Sequence, residues 1–408
     1  MSGVAMGVAD IELGLGEEEK SIRDTAHRFA EEVLRPAGTS LDRLDDPAAV
    51  IAAGSPLWEA HEKYRGLGLE LLESVDPGAG VNLAQNARIR YLVWEELGWG
   101  DAGLAISLGV AGFHKMFAQL SGKESLIEKF CAPDNHDLGC WAITEPDHGS
   151  DTLAFTEKSF SDGTIKPNCT ARKDGDGFVI SGQKAAWVSN GSIADVAALF
   201  CTLEPEHGFG GGGIAVVPLD LPGVSRGAPL DKLGQRSLNQ GEIFFDEVRI
   251  PSENLVIGPD GYEFAIESVL ALANASMGAI FVGVARAALE HAIAYAKERV
   301  QGGRPIFQHQ SVKARLFSMF TRFEAARALA RRVALFNITN PPLVQYSIAS
   351  KVFCTSVAFE VASGAVQIFG GNGLSREYPV EKLLRDARAS MIEDGCNDVL
   401  SLVGASKL

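Results

Sequence analysis

Positive charge is scarce in this chain. Lys and Arg number 37 against 52 Asp and Glu, a formal net charge of -15. Such a balance repels a phosphate backbone or an anionic membrane surface, so nucleic acid is not expected as a partner. Cysteine is scarce as well: Cys131, Cys140, Cys169, Cys201, Cys354 and Cys396 are thinly spread, with no CxxC or Cys/His spacing that would hold a metal or frame a disulfide scaffold. They read as reduced thiols of a cytoplasmic protein. No basic stretch leading into an apolar one opens the chain, because residues 1–16 are small, acidic and Gly-rich, and no leader peptide is expected. The uncharged run 268–285 (SVLALANASMGAIFVGVA) approaches the lower length of a membrane span. Its Ala, Gly and Ser content, its Asn274, and its direct passage into Arg286, Glu290, Lys297, Glu298 and Arg299 at helical spacing identify it instead as a helix buried in a bundle. Membrane insertion is therefore not expected.

What is present is a change of grammar along 408 residues, a length that at ~100 to 200 residues per domain allows two to four domains. The first third is helical in pattern: Ile22, Ala26, Phe29 and Val33 share one face, with Arg35-Pro36 as a stop, and 82–98 and 105–120 repeat the pattern. From about Gly139, short β-rich runs at 140–144, 178–181, 196–203, 214–218 and 243–248 alternate with Asp-Gly, Gly-Gly and Pro turns. After Pro251 long helices return over 262–301, 309–337 and 343–369, with a last one from about Asn397. The order α, β, α excludes a doubly wound sheet of βαβ units.

Several segments carry candidate chemistry. Residues 208–213 (GFGGGG) match GxGxxG, but a dinucleotide loop needs a strand before it and a helix N-terminus after it, and here the strand-like IAVVP follows. The match reads as a hairpin. Residues 140–151 (CWAITEPDHGSD) combine the flat surface of Trp141, the Thr144 hydroxyl and the backbone amides of the Gly149-Ser150 turn. These suit a polar aromatic ring system, and equally an ordinary Pro/Gly turn. A second aromatic-hydroxyl-Gly turn stands at Trp187 to Gly191 (WVSNG), and together the two could bracket an isoalloxazine. Downstream, Gln367 to Gly373 (QIFGGNG) ends a helix with glycines. Paired acids follow in Ile392 to Cys396 (IEDGC), where they supply either a carboxylate base or an N-cap cluster favoured by the helix dipole.

Taken in order, these segments resemble the acyl-CoA dehydrogenase family along nearly the whole chain. Residues 144–151 (TEPDHGSD) look like its first signature, and 367–388, with GGNG, EYPVEK and LRDAR, like its second. Residues 245–251 (FDEVRIP) resemble the family's exit from the β domain, and ERVQGGRPI from Glu298, followed by Gln308-His-Gln310, its stretch reaching FAD across a dimer. The resemblance implies an α+β multidomain chain: an N-terminal α-helical domain over 1–138, a middle β domain over 139–255 and a C-terminal four-helix bundle over 256–408. It also implies a homotetramer or dimer of dimers, FAD as cofactor without a Rossmann loop, no metal, and an electron-transfer flavoprotein as acceptor. Carried over residue by residue, Trp141, Ile143, Thr144, Gly149, Ser150, Trp187, Ser189 and Cys396 would meet the flavin. Arg299 and Gln310, with Gln367, Gly370 and Gly371 from a neighbouring subunit, would hold pyrophosphate and adenosine. Ser150, Asn274 and Gly395 would meet the acyl-CoA.

The chain departs from the family's common pattern at the base. Many members carry Glu before Gly-Thr, whereas Asp394-Gly395-Cys396 stands here, and Ala273 and Asn274 occupy the positions where another subgroup has Glu and Arg. Asp394 is the expected base, with Glu393 next in line. It would take the α proton while the β hydrogen leaves as hydride to flavin N5, with the ribityl hydroxyl and the base's own N–H holding the enolate oxygen. Members acting on alicyclic acyl-CoAs resemble this use of Asp, which points to a cyclic or branched acyl group. The rivals are a same-fold oxidase resembling nitroalkane oxidase, a same-fold flavin hydroxylase and a non-catalytic acyl-CoA-binding subunit.

Overall fold

The structure, a computed structural model, describes residues 8–12, 14–69 and 83–408. Residues 1–7 of the Gly-rich opening and Asn82, where a helix was expected to start, lie outside the described residues. The first helix, α1 (Glu17–Phe29), starts on three acids, and Glu19 accepts from the Gly16 N–H at 2.6 Å, satisfying one of the amides a helix leaves open. The expected stop at Arg35-Pro36 does not occur. A widened turn, Ala30–Leu34, leads straight into α2 (Arg35–Asp42), with Pro36 in its opening turn. A proline is tolerated there because a first-turn N–H has no helical partner.

Helices α3 (Pro56–Gly66) and α4 (Leu83–Gly100) follow. The stretch 105–120, expected as one helix, is two, α5 (Ala102–Val110) and α6 (Phe113–Ser121), separated at Gly112, and α7 (Glu124–Phe130) closes the helical part.

The middle of the chain forms one mixed sheet. Its strands are β1 (Gly139–Ala142), β2 (Thr170–Asp174), β3 (Gly177–Lys184), β4 (Val196–Thr202), β5 (Gly212–Pro218), β6 (Val224–Arg226), β7 (Ile243–Pro251) and β8 (Leu255–Ile257). They run in the order β6-β7-β3-β2-β4-β5-β8, with β1 parallel to β4. The short strands β2, β6 and β8 were not read from sequence; at three to five residues they carry too little alternation to register. The GxGxxG stretch connects antiparallel β4 and β5 and is followed by strand, not helix.

The last part holds α8 (Pro259–Glu298), a two-stranded ribbon β9 (Val300–Gln301) and β10 (Arg304–Pro305), α9 (Gln310–Thr339), α10 (Val344–Phe369), α11 (Val380–Ser390) and α12 (Asn397–Ser406). Helix α8 packs on α4, α9 and α10. Glycines on both helices allow the close approach of α8 and α4: a Cβ on Gly283 of α8 would stand 2.1 Å from the Glu95 carbonyl oxygen, and one on Gly98 of α4 2.0 Å from that of Ile280. The apolar window of α8 is 78% buried by protein, so its hydrophobicity is accounted for by helix packing.

Candidate active site

One cavity of about 410 Å³ lies where the sheet meets the α11–α12 connection. It gathers residues far apart in sequence: Trp141 on β1, Ile143, Thr144, Gly149 and Ser150 after it, Trp187 and Ser189 after β3, and Glu393, Asp394 and Gly395 between α11 and α12. Trp141 is buried against Phe113 and Phe200, yet its indole Nε1 has no partner among the described residues. Trp187 is the opposite case, a large aromatic left 55% exposed. An orphaned indole N–H, an exposed indole and the hydroxyls of Thr144 and Ser189 lining one cavity fit a flat heteroaromatic ring with polar edges.

The acids sit on a strained loop. Asp394 has φ +52° and Gly395 φ +89°, the left-handed region that a non-glycine residue adopts at a cost of about 1–3 kcal/mol. The shape is enforced from both sides. Ser150 Oγ accepts from the Cys396 N–H at 2.8 Å, and Lys351 on α10 donates to the Gly395 carbonyl at 2.7 Å and to Asn397 Oδ1 at 2.9 Å. A side chain on Gly395 would press on Leu400 Cδ2 at 2.8 Å. Among the described residues no protein acceptor takes the Asp394 N–H.

Burial raises the Asp394 carboxyl to about 6, against which Lys351 pulls downward. Glu393 is pushed up to about 7 by burial and by Asp394 beside it, and its carboxylate accepts from Gln235 Nε2. Lys351 is lowered to about 8 by burial. A group poised near neutrality takes and returns protons with little driving force wasted, which is what a general base requires.

A second groove lies elsewhere on the chain, lined by Arg299, Gln301, His309, Arg315, Gln367, Gly370 and Gly371 among others. It brings Arg299 together with the glycine turn after α10, where Gly370 has φ +62°. None of these residues lines the Asp394 cavity. Gln310, the first residue of α9, is exposed beside this groove but does not line it.

Asn274 requires a correction. It was expected at the substrate, but it is fully buried inside the bundle, donating to the Leu270 carbonyl one turn back at 2.9 Å, and it does not line the cavity. It bonds within its own helix, and its Oδ1 is left without a partner among the described residues. Cys396, expected at the flavin, does not line the cavity; its N–H bonds the lining residue Ser150. Lys351, Lys232, Gln235 and Gln240 were missed by sequence reasoning, and no local signal marks them. Among the described residues, no cluster of His, Cys, Asp and Glu could hold a metal ion.

A cavity lined by two indoles, several hydroxyls and a carboxyl raised towards neutrality has the groups a flavoenzyme site needs, on an α–β–α chain. Residues 140–248 match the acyl-CoA dehydrogenase middle domain and residues 259–408 the acyl-CoA dehydrogenase C-terminal domain. The chain is 31% identical over 398 residues to an acyl-CoA dehydrogenase of Bacillus subtilis (strain 168), covering 95% of this chain and 97% of that one. It is likewise 31% identical over 396 residues to cyclohex-1-ene-1-carbonyl-CoA dehydrogenase of Geobacter metallireducens, covering 95% and 97%. The structure of butyryl-CoA dehydrogenase from Megasphaera elsdenii superposes with a TM-score of 0.81 at 28% identity, over 97% of this chain and 99% of that one. The chain belongs to the acyl-CoA dehydrogenase family, FAD-dependent flavoprotein oxidoreductases.

Proposed function

We propose that the protein catalyses the FAD-dependent α,β-dehydrogenation of an acyl-CoA thioester to the enoyl-CoA, with Asp394 as the base. The observation that carries this reading is the Asp394 carboxyl, held on a strained loop in the cavity and raised to about 6. Trp141, Thr144, Ser150, Trp187 and Ser189 would hold the ring of FAD, which when bound supplies the hydride acceptor. Asp394 Oδ takes the α proton, and Lys351, by fixing the Gly395 carbonyl, keeps that oxygen in place. The unpaired Asp394 N–H is available to the thioester oxygen as negative charge develops on it. Leu153, Leu233 and Ile392 give the cavity wall an apolar surface for the acyl carbons.

Arg299, Gln367, Gly370 and Gly371 share a groove separate from the Asp394 cavity, which supports a homotetramer or dimer of dimers in which one copy holds the pyrophosphate and adenosine of its neighbour's FAD. A guanidinium suits a phosphate by offering paired donors. Electrons would pass on to an electron-transfer flavoprotein, and the six unpaired cysteines are in keeping with the cytoplasm. The relative acting on cyclohex-1-ene-1-carbonyl-CoA supports a cyclic or branched acyl group.

Anaerobic titration of the yellow protein with straight, branched and cyclic acyl-CoAs is the direct test. Bleaching of the flavin by at least one, lost in Asp394→Asn, is the expected result. No bleaching by any of them would overturn the reading, and rapid reoxidation of the reduced protein by air would move it to the oxidase class.

A further inference from the structure

The second aromatic turn does not stand alone. Backbone bonds join it to the segment before β7: the Asn190 N–H meets the Asn239 carbonyl at 2.8 Å, and the Gly241 N–H meets that of Val188 at 3.2 Å. Ser189 and Gln240 form a bridge pair between the two segments, which sets their side chains next to each other. Ser189, Gln240 and Lys232 all line the cavity, and the reaction just described uses only the first of them.

Each hydrogen bond in this trio has one possible direction. Lys232 Nζ lies 2.8 Å from Gln240 Oε1 and is tied at the same distance to the Leu238 carbonyl. An ammonium only donates, so the amide oxygen of Gln240 has to be the atom that faces it. Gln240 Nε2 lies 3.2 Å from the Trp187 carbonyl, which only accepts, so the amide nitrogen has to face the turn. The two ends demand the same orientation of a buried side chain, and flipping it would set donor against donor and acceptor against acceptor. The second hydrogen on Nε2 falls to Ser189 Oγ at 3.4 Å, a long bond, and Ser189 is the acceptor in it. That is the one bond the Ser189 side chain makes among the described residues. Its own hydrogen is left for the cavity.

We propose that Gln240, held by Lys232, is a positioning residue that turns the Ser189 hydroxyl into a donor towards the flavin. A hydroxyl free to rotate could give or accept a hydrogen bond; one fixed as a donor serves only an acceptor on the ring. Ring acceptors gain electron density on reduction, so such a donor holds the reduced ring more tightly than the oxidised one and raises the reduction potential. This deepens, and rests on, the flavoenzyme reading above.

The test compares the FAD-loaded parent with Gln240→Glu, Ser189→Ala and the double variant. A carboxylate has no hydrogen to give, so Gln240→Glu presents Ser189 with an acceptor and draws its hydroxyl off the ring. The dissociation constant of FAD should rise about 2- to 10-fold, the reach of one hydrogen bond, and the midpoint potential of the bound flavin should fall. Ser189→Ala should do the same. In the Ser189→Ala background the added effect of Gln240→Glu should shrink, because the hydroxyl it acts through is gone. An effect of Gln240→Glu that is undiminished in that background overturns the proposal, since the new charge or a loosened turn would then act without the hydroxyl. An unchanged potential in Gln240→Glu overturns it as well. Should Gln240→Glu fail to fold, Lys232→Met, which releases the amide to flip, carries the same comparison: a fall in potential that is smaller without Ser189 is expected, and equal falls or none overturn the proposal. A parent that takes up no FAD would instead sink the flavoenzyme reading, and this inference with it.

Discussion

Two pairs of neighbouring acids in this molecule both feel burial, and their pKa values move in opposite directions. Between α4, α8 and α9, Glu95 takes hydrogen bonds from Arg286 at 2.8 Å, Arg327 at 2.6 Å and Arg331 at 3.1 Å, and Glu96 pairs with Arg286 and with His27 at 2.7 Å. Burial acts to raise both, but the guanidiniums hold both well below the usual carboxylate range. In the cavity, Glu393 and Asp394 have no arginine partner among the described residues, burial dominates, and both rise. The difference is one of geometry: charge is fixed where cations are bonded to it and left mobile where they are kept a step away. The first group fixes three helices in register. The second is free to exchange a proton.

The sharpest way to break that comparison is to replace the mobile acid. Asp394→Asn keeps shape and hydrogen-bonding capacity but removes the base, and turnover should fall by about 10²–10⁴-fold in a steady-state dye-reduction assay. Stability should move the other way. A carboxyl whose folded pKa exceeds its unfolded one favours folding fully only below the unfolded value, about 4, and loses that contribution as pH rises through about 6. At neutral pH the ionised, desolvated Asp394 is a liability, and Asp394→Asn should raise the unfolding free energy by about 1 kcal/mol. An inactive variant that is also less stable would show that the aspartate is held there for the fold.

The complementary change is Glu95→Gln, which strips the shared partner from three buried arginines. Breaking a buried pair from one side costs about 3–5 kcal/mol, because the remaining charges stay desolvated. Thermal unfolding should show a loss of that order, with flavin reduction per folded molecule little altered. A variant as stable as the parent would mean that the cluster is wetter than its burial implies.

Most of the fold and the heart of the site were legible, for different reasons. The long helices and the strands of β3, β4, β5 and β7 announce themselves through period and length. Asp394, Trp141 and Trp187 were found because each sits in a local motif, an acid before Gly or an aromatic beside a hydroxyl and a turn. Lys351, Lys232 and Gln235 have no such neighbours. They reach the acids across 43, 161 and 158 residues of sequence, counting from Lys351 and Lys232 to Asp394 and Glu393 and from Gln235 to Glu393, and only the packing of α10 and the β6–β7 connection brings them there. Asn274 failed for the converse reason: a position can be carried over from a family while the side chain standing there is buried in the bundle and bonded within its own helix.

Lys351 sharpens the comparison because it is the cation kept a step away. Lys351→Met leaves the apolar stem and removes both the Gly395 clamp and a charge that lowers Asp394. Two effects should appear together in pH profiles of kcat/KM. Activity requires ionised Asp394, so the parent should lose it as pH falls below about 6, and in the variant that limb should move to higher pH. The plateau should also drop, up to about 10²-fold if the loop relaxes by an ångström. A lowered plateau with an unmoved limb would leave Lys351 a positioning residue without electrostatic reach.

The smallest expected effect concerns the other clamp on the same loop. Ser150 Oγ accepts the Cys396 N–H at 2.8 Å, and it does so from the cavity wall, where it also faces the ring site. Ser150→Ala removes one neutral hydrogen bond and should cost about 0.5–1.5 kcal/mol, a shift of a few degrees or less in a chain of this size. If that bond only steadies the loop, kcat should fall modestly while the pH limb and the retention of FAD on gel filtration stay as in the parent. Loss of colour at unchanged thermal stability would instead assign Ser150 to the cofactor, and would tie the first turn of the β domain to chemistry more tightly than its hydrogen bond to Cys396 does.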